Sequence, residues 1–132
     1  MSVFVDTSAL YAMLDADDAD HQAAADVWTQ LLEADEPLVS SNYILVETTA
    51  LAQHRLGAAA ARTLLDDVVP ALTIEWVTPE DHRAAASALL AAGRRDLSLV
   101  DCVSFEVMRR LGIRRAFSFD RHFGDVGFEL VP

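Results

Sequence analysis

Four acidic residues in this chain interrupt or directly follow short, mostly apolar runs: Asp6, Glu47, Asp101 and Asp120. An ionised carboxylate in an apolar environment loses hydration, so it needs a cation or hydrogen-bond donors in compensation. The chain contains ten arginines and no lysine to supply that charge. If the acids converge, each pair about 4 Å apart repels by roughly 4 kcal/mol at an effective dielectric constant near 20. A divalent cation between them would remove this repulsion.

Short strand patterns alternate with helical patterns along the whole chain. The predicted strands cover residues 3–5, 37–40, 72–77, 115–119 and 128–131. The predicted helices cover residues 8–14, 21–34, 42–55, 58–69, 79–92 and 99–111. Because strands joined through helices pair in parallel, this order predicts a three-layer α/β/α fold with a mostly parallel central sheet. We expect a single domain over residues 1–132.

The predicted outline places several of the acids near one edge of the sheet. Asp6 and Asp120 each follow an apolar strand, and open α/β sheets bind ligands at the carboxyl ends of their strands. Asp101 falls in the first turn of a helix, where backbone N–H groups favour negative charge. Glu47 is the only formal charge between Glu36 and Arg55. This pattern predicts one shared acidic site.

Each of these acids also has a purely structural interpretation. Asp101 is the third helical residue of the capping box that Ser98 begins, and this role alone would explain it. Asp6 and Asp120 could be turn or cap residues after their strands. Glu47 is harder to explain this way because its helical neighbours, such as Tyr43 and Leu51, are apolar.

The charge distribution limits the possible functions. The net charge of −11 argues against a generic polyanion-binding protein. All ten arginines lie in residues 55–132, so phosphate contacts must come largely from that half. The candidates are Arg94, Arg95, Arg109, Arg110, Arg114, Arg115 and Arg121. Arg121 is the first choice because it adjoins Asp120. The absence of lysine excludes Walker-type nucleotide hydrolysis and receiver-type phosphoacceptor chemistry.

Other features indicate the cellular setting. Cys102 is the only cysteine, so no internal disulfide can form, and a reducing cytoplasm is expected. No signal peptide is readable, and no uncharged apolar stretch is long enough to span a membrane. We therefore predict a cytoplasmic protein without a membrane partner.

Four segments carry a resemblance to a known family: VDTSAL at 5–10, VET at 46–48, LSLVDC at 97–102 and SFDRHF at 118–123. Their order and spacing resemble the PIN-domain nuclease family, in particular bacterial VapC-type toxins. The resemblance implies a PIN-like fold and metal-dependent hydrolysis of RNA. It implies that Asp6, Glu47, Asp101 and Asp120 hold Mg²⁺, or Mn²⁺ in its place. Thr7, Ser8 and Ser118 would lie close by, and Asp96 would be a fifth, outer acid.

The same resemblance implies partners. VapC-type proteins are expected to form homodimers and to be neutralised by a cognate antitoxin. The apolar segment 9–14 would then face a partner or be buried in the core. The alternative to an enzyme is a noncatalytic PIN-like module that binds RNA or protein, although all four acids are retained here.

The sequence assigns no function to several other polar residues. The acidic loop 15–20 is expected to be solvated, since it lacks the glycine of a calcium loop. His122 would contact substrate or serve a turn, and His54 and His82 would lie at the surface or an interface. His21 resembles a recurrent feature of the toxins, but its role is open.

Overall fold

The computed structural model describes residues 1–132 and contains one five-stranded sheet. Strands β1 to β5 span Val3–Val5, Leu38–Ser41, Thr73–Glu75, Arg115–Phe117 and Glu129–Val131. They lie in the order β3-β2-β1-β4-β5, and every neighbouring pair is parallel. The predicted α/β fold with a parallel central sheet is therefore confirmed, with strand ends shifted by at most two residues.

Seven α-helices connect or follow these strands. Helices α1 to α7 span Thr7–Leu14, His21–Glu33, Asn42–Leu56, Ala58–Thr63, Pro79–Ala92, Leu99–Leu111 and His122–Asp125. None combines the length and apolar character needed to cross a bilayer. The four-residue helix α7 was not predicted, because so short a segment shows no helical periodicity.

The helix predicted over 58–69 does not continue as an α-helix beyond Thr63. A π-helical turn, Leu64–Val68, and a 3₁₀ turn, Val69–Ala71, follow it. Pro70 has no N–H to donate and its ring would collide with the carbonyl four residues earlier, so the hydrogen-bond pattern changes before it. The prediction of one regular helix was wrong for this reason.

The centre of the sheet is completely buried. All three residues of β1 have no exposed surface, which explains their uninterrupted apolar sequence. Helix α1 contributes Ala9, Leu10 and Ala12 to the same core cluster. Of the two interpretations of segment 9–14, burial in the core is therefore confirmed for these residues.

The direction of the chain across the sheet creates a switch point between β1 and β4. From β1 the chain proceeds to β2 and β3 on one side, and then returns to β4 and β5 on the other. At the carboxyl ends of β1 and β4, the backbone N–H of Asp6 donates to the carbonyl oxygen of Phe117 at 3.0 Å. Such switch points are where open α/β sheets bind ligands.

Candidate metal centre

A cleft of about 400 Å³ lies at the switch point, on the carboxyl edge of the sheet. Its walls contain all four acids predicted from the sequence: Asp6, Glu47, Asp101 and Asp120. Asp18 and Asp20, from the loop after α1, also line it, although this loop was expected to be merely solvated. Arg55 is the only basic residue among the lining side chains. The structure therefore brings the predicted acids together in a strongly acidic cleft.

Asp6 is the most buried of the four and is held by hydroxyl groups. Its Oδ2 accepts hydrogen bonds from the Ser8 hydroxyl at 2.7 Å and the Ser118 hydroxyl at 2.9 Å. The Ser8 backbone N–H also donates to it, which caps helix α1. Burial nevertheless dominates and raises the pKa of Asp6 to about 6, with a smaller contribution from Asp101. Asp6 is thus a carboxylate whose charge is costly without a nearby cation.

Asp101 serves both roles that the sequence left open. Its Oδ2 accepts from the backbone N–H of Ser98 at 3.1 Å, and its own N–H donates to the Ser98 hydroxyl at 3.0 Å. This is the predicted capping box of α6. The carboxylate also lines the cleft, where burial raises its pKa and the negative charge of Asp120 adds to the effect.

Asp120 is fixed by the start of helix α7. Its Oδ1 accepts from the backbone N–H of His122 at 2.9 Å and lies 2.6 Å from Nδ1 of the same residue. Its own N–H donates to the Ser118 hydroxyl at 3.0 Å. Ligand atoms of Asp101, Asp120 and His122 all lie within 4.8 Å of one another. His122 is therefore part of the site, although the sequence left its role open.

Glu47 reaches the cleft from the middle of helix α3. Its neighbours Leu51 and Arg55, four and eight residues later, line the same wall. Thr48 is buried and donates its hydroxyl to that of Thr7 at 2.9 Å, which ties α3 to α1. Of the apolar residues near Glu47 on this helix, Tyr43 and Leu51 are half-buried, whereas Ala50 and Val46 are exposed. Some of the apolar residues near Glu47 therefore belong to the exposed surface of α3 rather than to the core.

Each predicted ligand keeps an oxygen atom that receives no hydrogen bond from the protein. Asp6 and Asp101 accept only through Oδ2, and Asp120 accepts only through Oδ1. No buried side-chain polar atom in the structure lacks a partner, so these remaining oxygens are accessible. Asp6, Asp101 and Asp120 therefore each combine one anchored and one open carboxylate oxygen, which suits a hard divalent cation. The residues present therefore fit a metal ion.

The other predicted site residues occupy different positions. Thr7 and Ser8 line the cleft, and Ser118 lies behind it as a hydrogen-bond partner of Asp6. Asp96 is exposed and outside the lining residues, where it pairs with Arg94 at 2.8 Å and with Nε2 of His122 at 3.0 Å. These partners hold the pKa of its carboxyl well below the usual range.

The arginines show where sequence reasoning was incomplete. Arg121 is exposed and does not line the cleft, whereas Arg55 does. The guanidinium of Arg55 lies 5.5 Å from the ring centroid of Tyr11. Its position on the stripe of Glu47 and Leu51 was the available signal. Other candidates are engaged elsewhere: Arg110 binds Asp81 and Glu75, Arg115 binds Glu36 and Arg109 binds Glu106.

The remaining histidines lie outside the cleft. His21 places its Nδ1 2.7 Å from the carbonyl oxygen of Ala12, which joins α2 to α1. Nδ1 of His82 lies 2.6 Å from the hydroxyl of Tyr43. His54 is exposed, as expected.

A parallel α/β sheet with an acid-lined cleft at its switch point defines a class of proteins with a cation-binding centre at that edge. Residues 3–129 match the model of the PIN domain, and the chain belongs to the PIN-domain family. Members of this family generally use a divalent metal, and the acidic cluster here can bind one. The predicted family and PIN-like fold are confirmed.

Relatives and solved structures agree with this family. The chain is 38% identical to the 23S rRNA-specific endonuclease VapC20 of Mycobacterium tuberculosis, strains CDC 1551/Oshkosh and H37Rv, over 96% of this chain and 95% of that protein. The crystal structure of that VapC20, described as a sarcin-ricin loop cleaving toxin, has a TM-score of 0.84 at 35% identity, over 96% of this chain and 95% of the other. FitAcB from Neisseria gonorrhoeae has a TM-score of 0.72 at 12% identity, over 100% of this chain and 97% of the other, which shows the fold alone. The predicted resemblance to VapC-type toxins is confirmed.

Proposed function

We propose that this chain is a Mg²⁺-dependent endoribonuclease of the VapC toxin type. Asp6, Glu47, Asp101 and Asp120 would hold the metal, with Mn²⁺ able to substitute. The observation that supports the proposal is that these four acids line one cleft. The 38% identity to an endonuclease supports the reaction class.

Neighbouring side chains hold some of the carboxylate oxygens by hydrogen bonds and leave others free. Ser8, Ser118, Ser98 and His122 orient the carboxylates through one oxygen each. The other oxygens remain free to position a cation and a water molecule. When bound, such a cation stabilises negative charge on the phosphate and lowers the pKa of a water molecule. Attack by water does not use the ribose 2′-hydroxyl, so we propose products with 5′-phosphate and 3′-hydroxyl ends.

The proposed substrate is a structured ribosomal RNA loop. The relative VapC20 is named for 23S rRNA and its structure for the sarcin-ricin loop. At a similar length and 38% identity, the same loop is the first substrate to test for this chain. Contacts of Arg121 with phosphate stay a prediction, and Arg55 is an additional candidate because it lines the cleft.

We also propose a homodimer and a cognate antitoxin as partners. Helix α3 carries an open apolar surface that includes Leu45, Val46 and Ala50 and continues to Leu65 in the π-helical turn after α4. Exposed apolar surface of this kind is typical of protein interfaces. We assign it to the dimer contact. The single-domain organisation, the cytoplasmic location and the absence of a membrane partner stay predictions.

The proposal is tested by cleavage of a sarcin-ricin loop oligonucleotide by the purified protein, with and without Mg²⁺. Asp101→Asn and Asp6→Asn should lower kcat by at least about 100-fold while circular dichroism shows a folded protein. Asp66→Asn, which removes an exposed acid outside the cleft, should leave the rate unchanged.

Two outcomes would contradict this function. Cyclic-phosphate products that persist in EDTA would exclude the proposed metal-dependent hydrolysis. Tight RNA binding without turnover by the native protein would favour the noncatalytic module.

A further inference from the structure

His122 lies between two carboxylates and joins an exposed ion pair to the acidic cleft. Nδ1 lies 2.6 Å from Oδ1 of Asp120, and Nε2 lies 3.0 Å from Oδ2 of Asp96. Asp96 is in turn held by Arg94, whose Nε and Nη2 donate at 3.1 and 2.8 Å. The four side chains form a continuous chain of hydrogen bonds from the surface to the cleft.

The geometry defines the chemistry of each contact. Each ring nitrogen of His122 lies within hydrogen-bond distance of a carboxylate oxygen, so both nitrogens are engaged by carboxylates. The side chain of His122 is only 11% exposed, and Phe123 beside it is fully buried. Packing and two charge-assisted hydrogen bonds therefore leave the ring little rotational freedom.

Both nitrogens of His122 are occupied, so the ring is not available as a metal ligand in this arrangement. It instead engages one oxygen of Asp120 and leaves the other, Oδ2, open. A carboxylate held through one oxygen cannot rotate to present that oxygen to a cation. Any effect of His122 on cation binding must therefore come through the orientation of Asp120.

Resting on the proposed function, we propose that His122 is a positioning residue that orients Asp120 for the cation, and that Asp96 and Arg94 orient His122. Asp96 then acts as the support of His122, rather than as a fifth metal ligand. Groups that orient metal ligands through hydrogen bonds typically change metal affinity by about 10-fold to 100-fold when removed.

The sign of the effect separates positioning from simple electrostatics. If His122 were only a positive charge near the cleft, its removal would leave the site more negative and tighten cation binding. If it positions Asp120, its removal weakens binding despite the more negative site. Asp96→Asn gives a second criterion. If Asp96 acted on the cation independently, its loss would change cation affinity equally with or without His122.

The test measures Mn²⁺ affinity of the full chain by electron paramagnetic resonance, with folding checked by circular dichroism. His122→Phe fills the buried space but donates no hydrogen bond, and we expect about 10-fold to 100-fold weaker binding. His122→Asn retains a donor near the position of Nδ1, and should recover most of that loss. Asp66→Asn, an acid of an exposed ion pair with Arg62, is the control and should change affinity less than about twofold.

A double-mutant cycle tests the role of Asp96. In the native background, Asp96→Asn should weaken Mn²⁺ binding by about threefold to tenfold. In the His122→Asn background it should have almost no effect, because the contact it removes is already lost. An equal loss in both backgrounds would overturn the proposal, as would unchanged or tighter binding in His122→Phe. If these couplings appear but the native protein cleaves no RNA, the proposed function fails while the inference stands.

Discussion

At the scale of the residue, burial of Asp6 disfavours the ionised form of its carboxylate. Three hydrogen bonds reach its carboxylate, yet burial still raises the pKa to about 6. The folded protein therefore binds a proton more readily than the unfolded chain between about pH 4 and 6. Its ionised form is stable only at a cost in folding free energy that a bound cation would offset.

This balance predicts that Asp6→Asn stabilises the metal-free protein. Because the unfolded chain loses its proton first, wild-type stability relative to the variant should fall as pH rises from about 4 to 6 and then level off. Above pH 7 the variant should be more stable by about 3 kcal/mol, or roughly 10 °C in Tm. Thermal unfolding in EDTA over this pH range measures it. A difference between the two proteins that does not vary with pH would contradict the assigned pKa.

Arg55 gives a second prediction at this scale. It is the only base lining a cleft with six acids, and it makes no ion pair with a carboxylate. We expect Arg55→Ala to raise KM for RNA by about tenfold and to lower by about one the slope of log affinity for RNA against log salt concentration. Mn²⁺ binding should not weaken, because removing a positive charge leaves the cleft more negative. Arg121→Ala provides the comparison, because the sequence places Arg121 beside Asp120. A larger loss in Arg121→Ala would return the phosphate contact to that residue.

At the scale of the element, helices α5 and α6 both begin with a capping box. Thr78 and Asp81 form a capping box at α5, and Ser98 and Asp101 form one at α6. The box of α6 was predicted from the sequence because a capping box is local, requiring only the right residues three positions apart. What sequence could not show is that only the box of α6 opens onto the cleft.

The two boxes allow a matched experiment. Ser98→Ala and Thr78→Ala should each lower the free energy of unfolding by about 1 kcal/mol, since each removes one capping acceptor. Only Ser98→Ala should also weaken Mn²⁺ binding, by about threefold to tenfold, because it loosens the helix turn that carries Asp101. Chemical denaturation and metal titration of both variants measure this. Equal Mn²⁺ affinity in the two would show that the cap does not position Asp101.

At the scale of the whole molecule, the open apolar surface of α3 predicts association. Val46→Asp should place a charge in the proposed contact and lower the mass in light scattering from two chains to one at micromolar concentration. Leu32→Asp is the control, because Leu32 is an exposed apolar residue on α2, away from that surface. A native mass of one chain would remove the dimer from the proposal.

The amino-acid sequence by itself determined the alternation of strands and helices, the parallel sheet and the identity of the four central acids. These features were accessible because each depends on local chemistry, namely apolar periodicity, helix caps and charges that are costly beside apolar runs. The π-helical turn after α4 and the short helix α7 were not predicted, because neither has a periodic pattern of its own.

The tertiary structure decided which groups hold those acids. Ser118 donates to Asp6 across 112 residues of sequence, and His122 reaches Asp96 across 26. Ser118 and Asp6 become neighbours only when β1 and β4 pair, and His122 meets Asp96 only when the segment before α6 packs beside α7. These contacts could not be predicted from local sequence, because hydrogen bonds between distant segments depend on how the whole chain packs.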